Sequence, residues 1–89
     1  MRLVQENMLR ALTDRRSWSG QNTVVCWEGD EFRVIYHGNL IAFGHRTKEA
    51  PYYKVDTATF AGWPTTSTSL RLKAIGVDTK ALRKKEGYR

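Results

Sequence analysis

The first sixteen residues carry the hydrophobic pattern of an amphipathic α-helix. Apolar side chains recur there at positions i, i+4, i+7 and i+8, which lie on one face of a helix. These positions are Val4, Met8, Ala11 and Leu12. The next segment, residues 17–20, contains two serines and a glycine and is typical of a loop. We therefore predict a helix over residues 2–16 that covers a hydrophobic core.

Three segments in the middle of the chain alternate between apolar and polar residues with the period of a β-strand. They span residues 23–27, 32–37 and 40–45. The dipeptides between them, Gly29-Asp30 and Gly38-Asn39, suit two-residue hairpin loops, because glycine adopts the positive φ angles that these turns require. The pattern predicts an antiparallel meander of three strands.

The two loops also predict which side chains share a face of this sheet. The first loop sets Trp27 opposite Phe32, and the second sets Val34 opposite Phe43. The predicted core face carries Val25, Trp27, Phe32, Val34, Tyr36, Ile41 and Phe43. The opposite face mixes polar and apolar side chains, among them Arg33, Ile35, His37 and Leu40. We expect the helices to cover the first face, and the second face to be a contact surface of a homodimer.

The remaining residues predict a fourth strand and a second helix. Pro51 opens a strand over residues 52–57. Ser and Thr at 65–69 supply N-caps for a helix that runs to about Ile75 and stops before a glycine. Residues 77–89 fit a short strand, a helical turn or a mobile basic arm. The expected fold class is α+β, with an N-terminal helix, a three- to four-stranded antiparallel meander, a short second helix and a basic C-terminal segment in one domain.

The positive charge of the chain is concentrated at its C-terminal end. The formal net charge is +6 at pH 7, and residues 71–89 contribute +5 of it, from seven Lys or Arg and two acidic residues. Residues 17–70 carry a net charge of −1. Such a cationic segment indicates a polyanionic partner, because long-range attraction raises the rate of encounter with phosphate groups. Nucleic acid is the first partner of this kind.

Composition argues against a membrane protein and a secreted one. Crossing a bilayer takes an apolar run of about 18 to 20 residues, and the sequence contains none of that length. The charged N-terminal segment lacks the apolar stretch of a signal peptide. The single cysteine, Cys26, lies in a predicted strand, where we expect a buried thiol. These features favour a cytosolic protein in a reducing compartment.

Two clusters of basic and hydroxyl side chains are the predicted nucleic-acid contacts. The beginning of the second helix offers unpaired backbone N–H groups, hydroxyls and cations to a phosphate. This first cluster comprises Thr66, Ser67, Thr68, Arg71 and Lys73. The second cluster comprises Lys80, Arg83, Lys84, Lys85 and Arg89. The alternative is that the hydroxyls only cap the helix and the cations only keep the surface solvated.

Aromatic residues near these clusters have two interpretations. Tyr88 lies among the C-terminal cations and is placed to stack on a base if the partner is single-stranded. Trp63, between a glycine and a proline, is expected to lock a turn into the core rather than to contact a base. Trp27 belongs to the predicted core face.

No catalytic or metal-binding pattern accompanies these features. The sequence has no P-loop, nucleophile elbow or paired carboxylates. His37, His45 and Cys26 lack the spacing of a zinc site. We expect a protein that is not an enzyme and uses neither a cofactor nor a metal.

Two segments resemble motifs of small uncharacterised proteins of tailed bacteriophages. Residues 36–42 read Tyr-His-Gly-Asn-Leu-Ile-Ala, and residues 61–66 read Ala-Gly-Trp-Pro-Thr-Thr. A helical segment of the form Arg-Leu-x-Ala follows, with Lys73 where those proteins carry Asn. The resemblance covers roughly residues 22–76. It implies a phage origin and expression in the host cytoplasm, but no particular activity.

The leading hypothesis is therefore a small, non-enzymatic phage protein that binds nucleic acid through Arg71, Lys73 and the cations of 80–89. The alternative is a phage inhibitor or regulator of a host protein, such as RNA polymerase or a defence complex, because a basic surface also suits an acidic groove. A structural protein of the virion is a third hypothesis. The choice between DNA and RNA, and between duplex and single strand, stays open.

Overall fold

The computed structural model describes residues 3–88, in which a meander sheet is flanked by helices. The helices are α1 (Leu3–Thr13), α2 (Thr66–Ala74) and α3 (Thr79–Lys85). The strands are β1 (Trp18–Gly20), β2 (Thr23–Glu28), β3 (Glu31–Tyr36), β4 (Asn39–Arg46) and β5 (Tyr53–Ala58). They form a single antiparallel sheet in chain order. This architecture confirms the predicted α+β class.

The hairpin between β2 and β3 has the predicted register. Trp27 lies opposite Phe32, and Val25 lies opposite Val34. Gly29, in the loop between these strands, has a φ of 61°, a value that glycine adopts without steric cost. The alternation of apolar and polar residues, together with the turn glycine, was therefore enough to predict the register of β2 with β3.

The loop between β3 and β4 lies one residue earlier than predicted. It consists of His37 and Gly38, with φ angles of 50° and 77°, and it joins Tyr36 to its partner Asn39. Two consecutive residues with positive φ match the twist of the flanking strands, which favours this loop over the predicted Gly38-Asn39. The predicted position of this loop, at Gly38-Asn39, is therefore wrong by one residue.

A β-bulge then changes which side chains of β4 face the core. The register shifts at Val34 and Ile35, so Val34 pairs with Ala42 and not with Phe43. Ile41 and Ala42 are both 1% exposed, while Phe43 is 41% exposed on the opposite face. Because a bulge inserts one unpaired residue, every later side chain changes face. The prediction that Phe43 belongs to the core is wrong for this reason.

A first strand that the sequence analysis assigned to a loop completes the sheet. Trp18–Gly20 pairs with β2 through a turn in which Gln21 and Asn22 have φ angles of 51° and 59°. At the other edge, β5 begins at Tyr53, one residue after the predicted start. Short edge strands of this kind depend on the neighbouring strand for their stability, so their local sequence signal is weak.

Helices α2 and α3 each begin at a side-chain cap. Thr65 accepts a hydrogen bond from the backbone N–H of Thr68, and Asp78 accepts one from the N–H of Ala81. A helix therefore occupies Thr79–Lys85. Of the three alternatives predicted for residues 77–89, the described part, residues 77–88, has the helical one and neither the strand nor the arm. The two caps therefore fix where α2 and α3 begin.

The core lies between one face of the sheet and the helices. Its buried apolar side chains are Met8, Ala11, Leu12, Val25, Phe32, Val34, Ile41, Ala42, Tyr53, Phe60, Leu72, Ile75 and Leu82. The other face is open to solvent, with Val24 and Leu40 exposed by 37% and 39%. Cys26 also lies there and is exposed, so the prediction of a buried thiol is wrong.

Candidate nucleic-acid interface

Four of the predicted contact residues, two from each cluster, line a groove between α2 and α3. The groove has a volume of about 600 Å³. Its lining includes Thr66 and Lys73 from α2, and Lys80 and Arg83 from α3. Pro64, which precedes α2, also lines it. Residues of two clusters that are separate in the sequence therefore line the same groove.

Four exposed lysines supply positive charge on and beside this groove. Lys73 and Lys80 line it, and Lys84 and Lys85 follow on α3 outside the lining. None of them forms a salt bridge with an acidic side chain of residues 3–88. Lys80 and Lys84 are four residues apart on α3 and share a face of that helix. Their positive charge is therefore directed to solvent.

The arginines near the sheet are paired instead. Arg15 and Arg46 lie 3.4 and 3.8 Å from the carboxylate of Asp30. Arg33 lies 3.8 Å from Glu28. Because opposite charges partly cancel each other's field, the sheet side attracts phosphate less than the α2–α3 surface does.

The two acidic residues of the C-terminal region are engaged within the fold. Asp78 caps α3. Glu86 accepts a hydrogen bond of 2.6 Å from the hydroxyl of Thr59 and one of 2.8 Å from the backbone N–H of Phe60. Glu86 thereby ties the end of α3 to the segment that follows β5. Neither carboxylate pairs with one of the four lysines.

Arg71 and Thr68 face the body of the protein rather than the groove. Arg71 donates from Nε to the hydroxyl of Thr23 at 2.8 Å. Thr68 is only 1% exposed, and its hydroxyl lies 3.1 Å from that of Thr65. Ser67 is exposed, and its carbonyl accepts a hydrogen bond from Arg71. The geometry of Arg71 and Thr68 is therefore that of structural side chains.

Arg83 lines the groove and also contacts the buried ring of Phe60. Its Nη1 donates to the carbonyl of Pro64 at 3.2 Å, and its guanidinium carbon lies 5.6 Å from the centre of the Phe60 ring. It is half-buried, so it positions the segment before α2 while contributing charge to the groove. Arg89, the last predicted contact, lies outside the described residues.

A comparison with protein families shows which family the chain belongs to. A family model described as Kyanoviridae Gp96 protein matches residues 1–87. The chain belongs to this family. Since the Kyanoviridae are cyanophages, the phage origin implied by the sequence resemblance is confirmed. Comparisons with curated proteins and with solved structures find no match.

Two aromatic residues of this family member occupy places that differ from expectation. Tyr88 packs edge-on against Phe60, with ring centres 5.8 Å apart, so its ring contacts the core and is not presented for stacking. Trp63 is 55% exposed, so the prediction that it locks a turn into the core is wrong. Trp63 is thus a surface residue, and the one sequence signal for it is Gly-Trp-Pro, a sign of a tight turn.

A histidine and an aspartate form a polar pair on the sheet. His45 Nδ1 lies 2.7 Å from the Asp56 carboxylate on the sheet, a pair that arises only because β4 and β5 are neighbours. Among residues 3–88, no group of three or more His, Cys, Asp or Glu side chains is arranged to hold a metal ion. Within the same range, no helix has the length and apolar content needed to cross a membrane.

Proposed function

We propose that this small phage protein binds nucleic acid in the host cytoplasm, without catalysing a reaction, through the groove between α2 and α3. The observation that supports this function is the charge of the groove surface. Lys73 and Lys80 in the groove lining, and Lys84 and Lys85 farther along α3, are exposed and have no acidic partner among residues 3–88. The acids of the same region are engaged by hydrogen bonds of the fold.

This arrangement has a measurable electrostatic consequence. Each phosphate that a lysine neutralises releases condensed counterions from the nucleic acid. The logarithm of affinity then falls with the logarithm of salt concentration, by about 0.9 per contact for duplex DNA and about 0.7 for a single strand. Four lysine contacts therefore predict a slope of roughly −3.

The test is fluorescence anisotropy of labelled oligonucleotides, titrated with the protein from low salt to about 0.15 M. Binding at low salt with a slope near −3 supports the proposed function. An absence of binding to single-stranded and duplex DNA and RNA at low salt overturns it. A salt-independent affinity also overturns it, because the proposed contacts are ionic.

A second candidate function is the inhibition or regulation of a host protein. The open face of the sheet favours it, because Val24, Leu40 and Phe43 are each exposed by more than a third of their surface. Exposed apolar patches on a small protein are typical of protein-binding surfaces. The same face was predicted to be a homodimer contact, and the mass in solution tests that prediction.

The two functions predict opposite results in a capture experiment from nuclease-treated host lysate. A host protein that is retained by the wild type and lost with Phe43→Asn supports the second function. That result requires the double variant Lys73→Gln/Lys80→Gln, at the two lysines of the groove lining, to retain the same protein. Loss of capture with the lysine variant alone assigns binding to the basic groove.

A further inference from the structure

An exposed tryptophan lies next in the chain to a residue that lines the basic groove. Trp63 is 55% exposed and immediately precedes Pro64, which lines the groove. Its backbone is fixed on both sides, since its N–H donates to the carbonyl of Phe60 and its carbonyl accepts from the N–H of Thr65, both at 2.8 Å. Two backbone hydrogen bonds thus hold Trp63 in a defined turn directly before the groove residue Pro64.

The rings next to Trp63 form a chain of aromatic contacts. The centre of the His37 ring lies 6.2 Å from that of Trp63 and 4.3 Å from that of Tyr36. Arg71 covers the Tyr36 ring at 4.0 Å. Tyr36 and Arg71 support the chain from within, while His37 and Trp63 are exposed. Trp63 therefore stands at the solvent end of a supported aromatic surface.

We infer that the groove takes single-stranded rather than double-stranded nucleic acid, with one base stacked on Trp63 and the neighbouring phosphates on the lysines of α2 and α3. The inference rests on the proposed function and names its substrate class. A stacking side chain reaches the face of a base only when the base is unpaired and unstacked, as in single strands and loops. In a duplex these faces are covered by the neighbouring base pairs.

The combination of ring and cations distinguishes this surface from a purely electrostatic one. Lysines alone attract any polyanion, and duplex DNA has the higher charge density. An aromatic side chain adds affinity only for unpaired bases, and it does so for every base type. The geometry therefore predicts a preference for single strands with little dependence on sequence.

The experiment compares the anisotropy of labelled single-stranded DNA, single-stranded RNA and duplex DNA, with wild type and Trp63→Ala. Replacing a stacking aromatic by alanine should lower single-strand affinity roughly 5- to 160-fold. Duplex affinity and the salt slope should stay unchanged, because no cation is removed. Phe43→Ala is the matched control, since this exposed ring lies on the open sheet face, and it should alter neither affinity. The two single strands decide between DNA and RNA.

A second measurement guards against a folding defect in the alanine variant. Trp18 and Trp27 are half-buried, so Trp63 is the most exposed tryptophan. Its emission should be quenched on titration with an unlabelled single strand and left unchanged by a duplex. In Trp63→Phe, which keeps a ring for stacking, the quenching should disappear while most of the binding persists.

The outcomes separate this inference from the proposed function. If single strands and duplex bind equally well and Trp63→Ala leaves both unchanged, the single-strand inference is overturned while the proposed function stands. Quenching that persists in Trp63→Phe also overturns the inference. If none of the oligonucleotides binds at low salt, the proposed function fails, and the inference fails with it.

Discussion

The guanidinium carbon of Arg71 lies 4.0 Å from the centre of the Tyr36 ring, and this contact joins α2 to the sheet. The same guanidinium donates to the Thr23 hydroxyl at 2.8 Å and to the carbonyls of Ser67 and Gln21 at 3.1 and 3.3 Å. Its donors are therefore engaged within the fold. Arg71 was predicted to contact phosphate, yet its geometry is that of a clamp between α2 and the strands.

Arg71→Gln should lower the free energy of unfolding by about 1 to 3 kcal/mol. The substitution removes the charge-assisted hydrogen bonds and the contact with the Tyr36 ring. Arg71→Lys should lose most of the same stability, because an ammonium group cannot reproduce the planar fork of donors. Urea unfolding followed by circular dichroism measures both. Lys73→Gln is the control and should change stability by less than about 0.5 kcal/mol. Equal unfolding midpoints for Arg71→Gln and wild type would contradict the clamp.

The double substitution Lys73→Gln/Lys80→Gln, at the two lysines that line the groove, should weaken nucleic-acid binding without changing stability. Both side chains are exposed and form no salt bridge within the described part of the chain. Removing two phosphate contacts should make the salt slope shallower by about 1.4 for a single strand and about 1.8 for duplex DNA. Anisotropy titrations at several salt concentrations provide this slope.

The matched control for those lysines is Lys48→Gln/Lys54→Gln, which removes the same charge from the β4–β5 hairpin. Both of these lysines are exposed and neither lines the groove. We expect the control to retain most of the salt slope. An equal loss of slope in the two variants would show that net charge, and not the groove, determines binding.

Gly44→Ala should strongly destabilise the sheet. An added Cβ would overlap the backbone oxygen of Lys54 and lie 2.8 Å from atoms of the Phe32 ring. Backbone atoms of a paired strand cannot move aside cheaply, so we expect a loss near or above the upper end of the overpacking range of about 1 to 3 kcal/mol. The change in thermal or urea midpoint measures it.

A second glycine substitution separates the close approach at Gly44 from a general cost of replacing glycine. Gly38 has a φ of 77°, and a Cβ there would meet no atom within 4 Å. Gly38→Asn should cost less than about 1 kcal/mol, because asparagine tolerates the left-handed conformation. A similar loss in both variants would argue against a packing effect at Gly44.

The stability of the fold should depend on Tyr53 at alkaline pH. Its hydroxyl donates to the carbonyl of Ile75 at 2.8 Å, and burial raises the pKa of Tyr53 above the ordinary value of 10.0. The folded state thus holds this proton more tightly than the unfolded chain. Its contribution is complete below pH 10.0 and is lost as the pH rises through the raised pKa of the folded state.

Tyr53→Phe makes that dependence measurable. At neutral pH the variant should be less stable by about 1 kcal/mol, because it lacks the hydrogen bond to Ile75. Above pH 10.0 the difference from wild type should shrink, since phenylalanine does not titrate. Urea midpoints of both proteins on either side of this pH provide the comparison. Parallel pH profiles would show that Tyr53 does not carry the alkaline loss of stability.

Part of the candidate site followed from the sequence, and part did not. Lys73 and Lys80 were predicted as contacts from their charge, and the structure places both in one groove. The roles of Arg71 and Trp63 were not predictable in the same way, because charge and residue type do not show what a side chain packs against. Arg71 turns towards Tyr36, and Trp63 lies beside His37, through contacts between residues far apart in the chain.

The sequence by itself determined the α+β class, the register of β2 with β3 and the end of α2, because strand alternation, turn glycines and helix caps act between near neighbours. Only the tertiary structure decided that Phe43 and Cys26 face solvent and that residues of the two basic clusters line one groove. For Phe43 the cause is a single bulge, which exchanges the two faces of β4. Which side chains are buried, and which cations come together, depends on how whole helices and strands pack. Patterns among neighbouring residues do not contain that information.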